Sequence, residues 1–148
     1  MMKITKKITR LRLDARQPDE YIVKGLVSAE PDYKISLLIN RKFKISLKHA
    51  DPLAVTTENG EPLLFSRYSS AQPDSEITYT LISNRNDSKN HLLRKFKNVD
   101  YIFVVHDPDS MLRQDELSTG LRDLETVTAI FSIDPHSIKD KNIGYLIH

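Results

Sequence analysis

The sequence predicts a single α+β domain with a mixed β-sheet, two helices packed on one face, and two β-α-β-like units flanking a β-meander. Two observations predict this fold. Apolar and polar residues alternate over several short segments, which is the pattern of half-buried strands. Two longer segments repeat their apolar residues at helical spacing, and each lies between strand segments. The 148 residues are enough to bury a core as one domain, residues 1–148.

The first third of the chain is predicted to hold three strands and one helix. Pro31 is typical of the first turn of a helix, and Asp32 beside it suits the positive end of the helix dipole. We place a frayed end at residues 1–6, strands at 7–14 and 21–28, a helix from Pro31 to Lys42, and a third strand from Phe43 that ends at Asp51-Pro52.

The middle of the chain is predicted to form a meander. Asn59-Gly60 is a strong hairpin signal, because both residues tolerate the backbone angles of a tight turn. We place strands at 63–69 and 77–82, a polar loop at 85–90, and a short connector at 92–97 whose cations are Arg94, Lys95 and Lys97.

The last third of the chain is predicted to form a strand, a helix and a second strand, in that order. Val99–Val105 and Val127–Ile133 are apolar runs, and leucines at 112, 117, 121 and 124 form a helical stripe between them. A helical crossover implies parallel strands, so both carboxyl ends would meet at one sheet edge. Open sheets that carry helices bind ligands at such edges. The apolar end at 143–147 is predicted to dock as an edge strand.

That edge is the first candidate site. Carboxylates and imidazoles suit Mg, Mn or Zn ions. The alternative interpretation is that Asp109 or Ser110 caps the second helix and that Asp134-Pro135 ends a strand. The candidate ligands are His106, Asp107, Asp109, Asp134 and His136.

Charge points to a second candidate site. Residues 1–50 carry 12 Lys and Arg against 5 Asp and Glu, although the whole chain has a net charge of only +2. Such a face can bind RNA phosphates, and the alternative is an ordinary solvated sheet face. The candidate basic face consists of Arg10, Arg12, Lys44 and Lys48.

Composition excludes several function classes. The chain has no cysteine, so it has no thiol nucleophile or thiolate metal site. Its four isolated glycines do not make a phosphate-binding loop. No apolar run approaches the roughly 20 residues that span a bilayer. We therefore expect a cytoplasmic protein without a cofactor and without membrane contact.

The segment Leu93–Tyr101 resembles the signature of the IPExxxVDY family of small bacterial proteins. Val99-Asp100-Tyr101 matches the end of that signature, and Leu93 stands at its isoleucine position. Arg94 and Lys95 replace its proline and glutamate. The resemblance implies an uncharacterised bacterial protein, and it supplies no catalytic residue because the family has no established activity.

Three functions follow as hypotheses. The first is a non-catalytic binding or scaffolding module for an unknown protein partner, with a homodimer through an exposed sheet edge or helix as one form. The second is an RNA- or ribosome-associated accessory protein that uses the basic N-terminal face. The third is a metal-dependent enzyme at the Asp107/Asp134 edge.

Overall fold

The computed structural model describes residues 20–71 and 73–147, which form one sheet and two helices. The predicted frayed end and the predicted strand at 7–14, with Arg10 and Arg12, lie outside the described residues. The strands are β1 (Tyr21–Val27), β2 (Lys48–Thr56), β3 (Pro62–Ala71), β4 (Thr78–Ser83), β5 (Tyr101–His106) and β6 (Ala129–Ile133). The helices are α1 (Asp32–Phe43) and α2 (Gln114–Arg122).

The sheet has the strand order β2-β3-β4-β5-β1-β6. Each neighbouring pair among the described strands is antiparallel. The predicted single α+β domain and its meander are confirmed, whereas the predicted mixed sheet is wrong. The reason is that β1 lies between β5 and β6 and keeps them from pairing with each other.

Both helices nevertheless connect strands that run in the same direction. Because every neighbour is antiparallel, β5 and β6 point the same way on either side of β1. By the same count β1 and β2 also point the same way, with three strands between them. The predicted β-α-β-like units are therefore correct in order and direction, although β5 and β6 are not neighbours in the sheet.

The two helices pack on one face of the sheet, which we call the helix face. Ile35 and Ile39 of α1 and Leu117 and Leu121 of α2 belong to a single buried cluster with side chains of β1, β4 and β5. The helices also touch each other closely at Gly120. A Cβ atom there would lie 2.6 Å from Cζ of Phe43, so only glycine lets this ring approach.

The opposite face, which we call the back face, is covered by two irregular segments. One consists of residues 84–100, which include the predicted connector at 92–97. We call this whole segment the connector, and it has a short 3-10 turn at Arg94–Phe96. The other is the C-terminal segment, residues 134–147, which has a 3-10 turn at Lys141–Tyr145 and a buried Leu146. The predicted C-terminal edge strand is therefore wrong, because this segment packs over the sheet instead of alongside it.

The strand predicted from Phe43 begins later than expected. Helix α1 continues through Phe43, and β2 begins at Lys48 and runs through Asp51-Pro52. Asn40 explains the shift, because its side chain bonds both the N–H and the carbonyl of Leu47. Ile45 and Leu47, which the alternation places in a strand, are therefore buried side chains of a loop between α1 and β2. Pro52 is tolerated because β2 is an edge strand with a bulge between Ala50 and Leu53.

The hairpin between β2 and β3 confirms the turn predicted at Asn59-Gly60. Gly60 has a φ of 82°, a value that residues with side chains rarely adopt. Its N–H donates to the carbonyl of Thr57, and the Thr57 hydroxyl donates to the carbonyl of Glu61. These bonds close the tip of the hairpin.

A lysine lies in the middle of the apolar strand β1. Lys24 is 3% exposed and points to the helix face, and its Nζ donates to the Ser132 hydroxyl at 2.7 Å. Burial lowers the pKa of Lys24, and the nearby guanidinium of Arg122 lowers it further. Among the described residues no carboxylate pairs with this ammonium group, so its charged form costs folding free energy.

Replacing Lys24 with methionine is expected to stabilise the protein near neutral pH by about 1–3 kcal/mol. The reason is that methionine removes the buried charge and has a side chain of similar length. Between the lowered pKa and the ordinary value of 10.5, the unfolded chain binds more protons than the folded chain. The free energy of unfolding of the wild type should therefore increase relative to that of Lys24→Met as the pH rises through this range. Urea unfolding of both proteins at several pH values measures the difference.

The exposed Lys139 supplies the control, since Lys139→Met should leave stability nearly unchanged at each pH. A Lys24→Met protein that is less stable than the wild type at neutral pH would show that the buried amine stabilises the fold.

Candidate functional site

The five residues predicted at the Asp-Pro edge are not brought to one point. Strand β1 separates the ends of β5 and β6, which places them about 10 Å apart at the usual strand spacing. His106 stacks on Tyr21 with ring centroids 4.5 Å apart, and its Nε2 lies 3.6 Å from a Glu20 oxygen. Within residues 20–71 and 73–147 no three His, Asp or Glu side chains are placed to share a metal ion.

Asp107 has a structural role at this edge. The residue is 1% exposed, and each carboxylate oxygen accepts one backbone N–H, from Met111 at 3.0 Å and from Leu112 at 2.8 Å. These bonds hold the loop that leads into α2. The carboxylate is thereby turned into the protein and away from solvent.

Asp109, Asp134 and His136 are exposed and lie in or beside turns. The predicted cap of α2 by Asp109 or Ser110 is wrong, since the helix begins after Arg113 and no side chain caps it. Asp134 follows the last residue of β6, as predicted, and its carboxylate accepts the N–H of His136 at 3.0 Å. This contact is a local turn.

The first two residues of the Val99-Asp100-Tyr101 motif lock the connector onto β1. Val99 is buried against Gly25, where a Cβ atom would come within 3.0 Å of a Val99 methyl group. The Asp100 carboxylate accepts the backbone N–H of Ser28 at 2.8 Å. Both contacts join segments more than 70 residues apart and are structural.

Tyr101 fastens the start of α1 to the sheet. Its hydroxyl donates to the carbonyl of Glu30, two residues before the helix begins. Burial, with Asp32 and Asp100 nearby, raises the pKa of Tyr101 to about 12, so the hydroxyl keeps its proton at neutral pH. The motif that resembles the IPExxxVDY signature therefore has a structural role in each of its last three residues.

Two residues of the predicted basic face are described. Lys44 ends α1 with a φ of 56°, and Lys48 begins β2. Both side chains are exposed, and neither forms an ion pair with another described residue. They lie near each other along the chain, at the start of the edge strand β2.

A cleft on the other side of the molecule is the strongest candidate site. It lies between the β2–β3 hairpin, the connector and the C-terminal segment, and its volume is about 470 Å³. This volume is within the range of ligand sites in proteins. We call it the hairpin cleft, and its ionisable lining residues are Glu58, Glu61, His91, Arg94 and Lys141.

Hydrogen bonds between the connector and the C-terminal segment hold two of the cleft walls together. Asp140 accepts the backbone N–H of Arg94 at 2.8 Å, and the Asn142 amide donates to the carbonyl of Leu92 at 2.7 Å. The Tyr145 hydroxyl accepts the N–H of Thr56 at 3.3 Å and so joins the third wall. The cleft is therefore preformed by contacts between segments 46–89 residues apart.

Asn84 fixes the connector from beneath. This side chain is fully buried, and its amide donates to the carbonyls of Phe96 and Val99 while its oxygen accepts the N–H of Leu93. Three good bonds satisfy the buried amide, which gives the connector one defined path. Arg94 is thereby held at the cleft.

Opposite charges line the hairpin cleft. The hairpin contributes Glu58 and Glu61, whereas the connector and the C-terminal segment contribute Arg94 and Lys141. All four are exposed, and none forms an ion pair within the described part of the chain. The cleft thus offers free carboxylates and free cations to a polar ligand that carries both charges.

Comparison with known proteins finds no match among protein-family models, curated proteins or solved structures. Neither of the two described helices is long and apolar enough to cross a membrane.

Local sequence signals indicate parts of the hairpin cleft but not that these parts lie together. The Asn59-Gly60 turn and the basic residues of the connector each have a signal within a short window. The sequence predicts an edge strand for residues 143–147 and gives Lys141 no place beside the hairpin. The missing signal is Asp140-x-Asn142, which has a capping pattern in which Asp140 accepts the Asn142 N–H.

Proposed function

We propose that this protein is a non-catalytic binding module whose hairpin cleft holds a polar segment of a partner protein. The observation that carries the proposal is the preformed cleft with free carboxylates on its hairpin wall and free cations on the other walls. Electrostatic complementarity of this kind gives specificity and speeds association. A polypeptide segment carrying both charges fits it.

The resemblance to the IPExxxVDY signature adds no activity to this proposal. Val99, Asp100 and Tyr101 are engaged in structural contacts, and they do not line the cleft. The proposed binding role rests on Arg94 and Lys141, whose charged side chains form no ion pair with another described residue.

A second candidate function is RNA binding, and one observation favours it. Seven exposed cations lie on the connector and the C-terminal segment, without ion pairs to any other described residue. Lys44 and Lys48 extend the exposed positive charge. Phosphate contacts depend on such free cations. The seven are Arg85, Lys89, Arg94, Lys95, Lys97, Lys139 and Lys141.

A capture experiment with paired charge reversals tests the proposal. The baits are the wild type, a cleft variant with Arg94→Glu and Lys141→Glu, and a matched variant with Lys44→Glu and Lys48→Glu. Each is incubated with native lysate, with and without nuclease, and bound material is identified by mass spectrometry. We expect one partner protein that resists nuclease, stays with the matched variant, and falls about tenfold or more with the cleft variant.

The two functions give different results. Equal capture of the same proteins by all three baits would contradict the cleft proposal. Bound material that disappears with nuclease, and that falls with rising salt, would establish the RNA function instead.

A further inference from the structure

A second cavity lies on the back face of the sheet, beside the C-terminal segment. Its volume is about 320 Å³, which suits one small ligand. Val104 of β5 and Leu146 of the C-terminal segment are buried apolar residues of its lining. We call it the sheet cavity, and its polar lining residues are Tyr21, Arg67, Ser69, Thr78, Thr80 and His106.

The register of the sheet brings three donors of this cavity together. Ser69 of β3 pairs directly with Thr80 of β4, which places their Cβ atoms about 4.5–5.5 Å apart. Arg67 lies two residues before Ser69, and its side chain therefore points to the same face of the sheet. A guanidinium group and two hydroxyl groups thus occupy neighbouring positions at one end of the cavity.

These donors have spare hydrogen-bonding capacity. Arg67 Nε donates to the backbone carbonyl of Asp51 at 2.9 Å, which orients the guanidinium and leaves its terminal amino groups for a ligand. Arg67 forms no ion pair with another described residue, and the Ser69 and Thr80 hydroxyls form no hydrogen bond within that part of the chain. No described Asp or Glu lines the cavity. This end therefore favours an anion with several acceptor oxygens, such as a phosphate group.

A stacked aromatic pair forms the other end of the sheet cavity. The rings of Tyr21 and His106 have centroids 4.5 Å apart and planes inclined by 25°. His106 lies opposite Tyr21 on one side and opposite Thr78 on the other, because β5 runs between β1 and β4. Tyr21 covers one face of the imidazole, so the other face is turned toward β4 and the cavity. Nucleobases stack on aromatic side chains of this kind.

We propose that the sheet cavity binds a nucleoside monophosphate, with its phosphate on Arg67, Ser69 and Thr80 and its base against His106. The two ends lie on β3 and β5, which are about 10 Å apart because β4 runs between them. A mononucleotide carries its phosphate and its base at opposite ends, with the ribose between them. The site is separate from the hairpin cleft, and it does not depend on the function proposed for that cleft.

Titration of the full chain with AMP, GMP, CMP and UMP, followed by amide chemical shifts, tests this site. Ionic strength is kept constant with sodium chloride, so that general screening does not change. We expect saturable shifts confined to the amides around Ser69, Thr80 and His106 with at least one mononucleotide. Inorganic phosphate and the matching nucleoside each make only part of the contacts, so each should bind at least about tenfold more weakly.

Three variants decide the assignment. Arg67→Gln removes the charged donor, and Thr80→Val removes one hydroxyl while keeping the shape of the side chain. Arg67→Gln should weaken mononucleotide binding by about tenfold or more, and Thr80→Val should weaken it by a smaller factor. His106→Ala should weaken binding of the mononucleotide but not of inorganic phosphate. Arg122→Gln, an exposed arginine on the helix face, is the matched control and should bind like the wild type.

The proposal fails if none of the four mononucleotides gives saturable shifts. It fails equally if Arg67→Gln and Thr80→Val both bind as tightly as the wild type. Inorganic phosphate that binds as tightly as every mononucleotide would overturn the role of the stacked pair. Weaker binding in the Arg122→Gln control would show that the response depends on general charge and not on this site.

Discussion

Truncating Leu121 to alanine should lower the free energy of unfolding by about 2–5 kcal/mol, which is the usual cost of a leucine-sized cavity. Leu121 is fully buried in the cluster that joins α2 to α1 and the sheet. Relaxation into the cavity is hindered, because the adjacent Gly120 already brings the Phe43 ring into close contact. We therefore expect the loss in the free energy of unfolding to lie at the upper end of this range.

Urea unfolding followed by far-UV circular dichroism measures this loss. Leu37→Ala provides the matched control, since Leu37 is a helical leucine that is 46% exposed. Its replacement should change stability by less than about 0.5 kcal/mol. A loss that small for Leu121→Ala would show that α2 does not pack as described.

Removal of the Asn84 amide is expected to cost about 3–5 kcal/mol. Alanine leaves the Leu93 N–H and the Phe96 and Val99 carbonyls without their partner in a buried place, and each such group costs about 1–3 kcal/mol if solvent cannot reach it. Partial relaxation of the connector keeps the total below the sum. Denaturant unfolding of Asn84→Ala gives the value.

A second substitution separates hydrogen bonding from side-chain volume. Asn84→Asp keeps the shape and the acceptor for Leu93 N–H but loses both donors, so it should be destabilised almost as much as Asn84→Ala. The exposed Asn98, in the same connector, should tolerate alanine with little change. If Asn84→Ala is as stable as the wild type, the connector is not held by this amide.

The elements of this fold could be predicted because their signals are local. The apolar runs at β1 and β5, the turn at Asn59-Gly60 and the helical stripe through Leu117 and Leu121 each lie within one short window. The position of β1 between β5 and β6 could not be predicted, because alternation shows that a strand has a buried face but not which strands pair with it.

The same limit applies to the sites. The hairpin cleft joins three segments that are distant in sequence, so neither composition nor spacing indicated it. Asp107 shows the same limit, since its place among other acidic and histidine residues made it a candidate ligand, with caps and turns as the alternative interpretation of that edge. Its actual partners, the backbone N–H groups of Met111 and Leu112, carry no sequence signal.

The position of β1 has a consequence for synthesis of the chain. This strand is complete at Val27, but its two partners begin at Tyr101 and Ala129. At about 5–20 residues per second, the ribosome adds the missing hundred residues over roughly 5–20 s. Both edges of this apolar strand stay unpaired until β5 has been made, and one edge stays unpaired until β6 follows. The charge of Lys24 at its centre opposes aggregation with other nascent chains during this time.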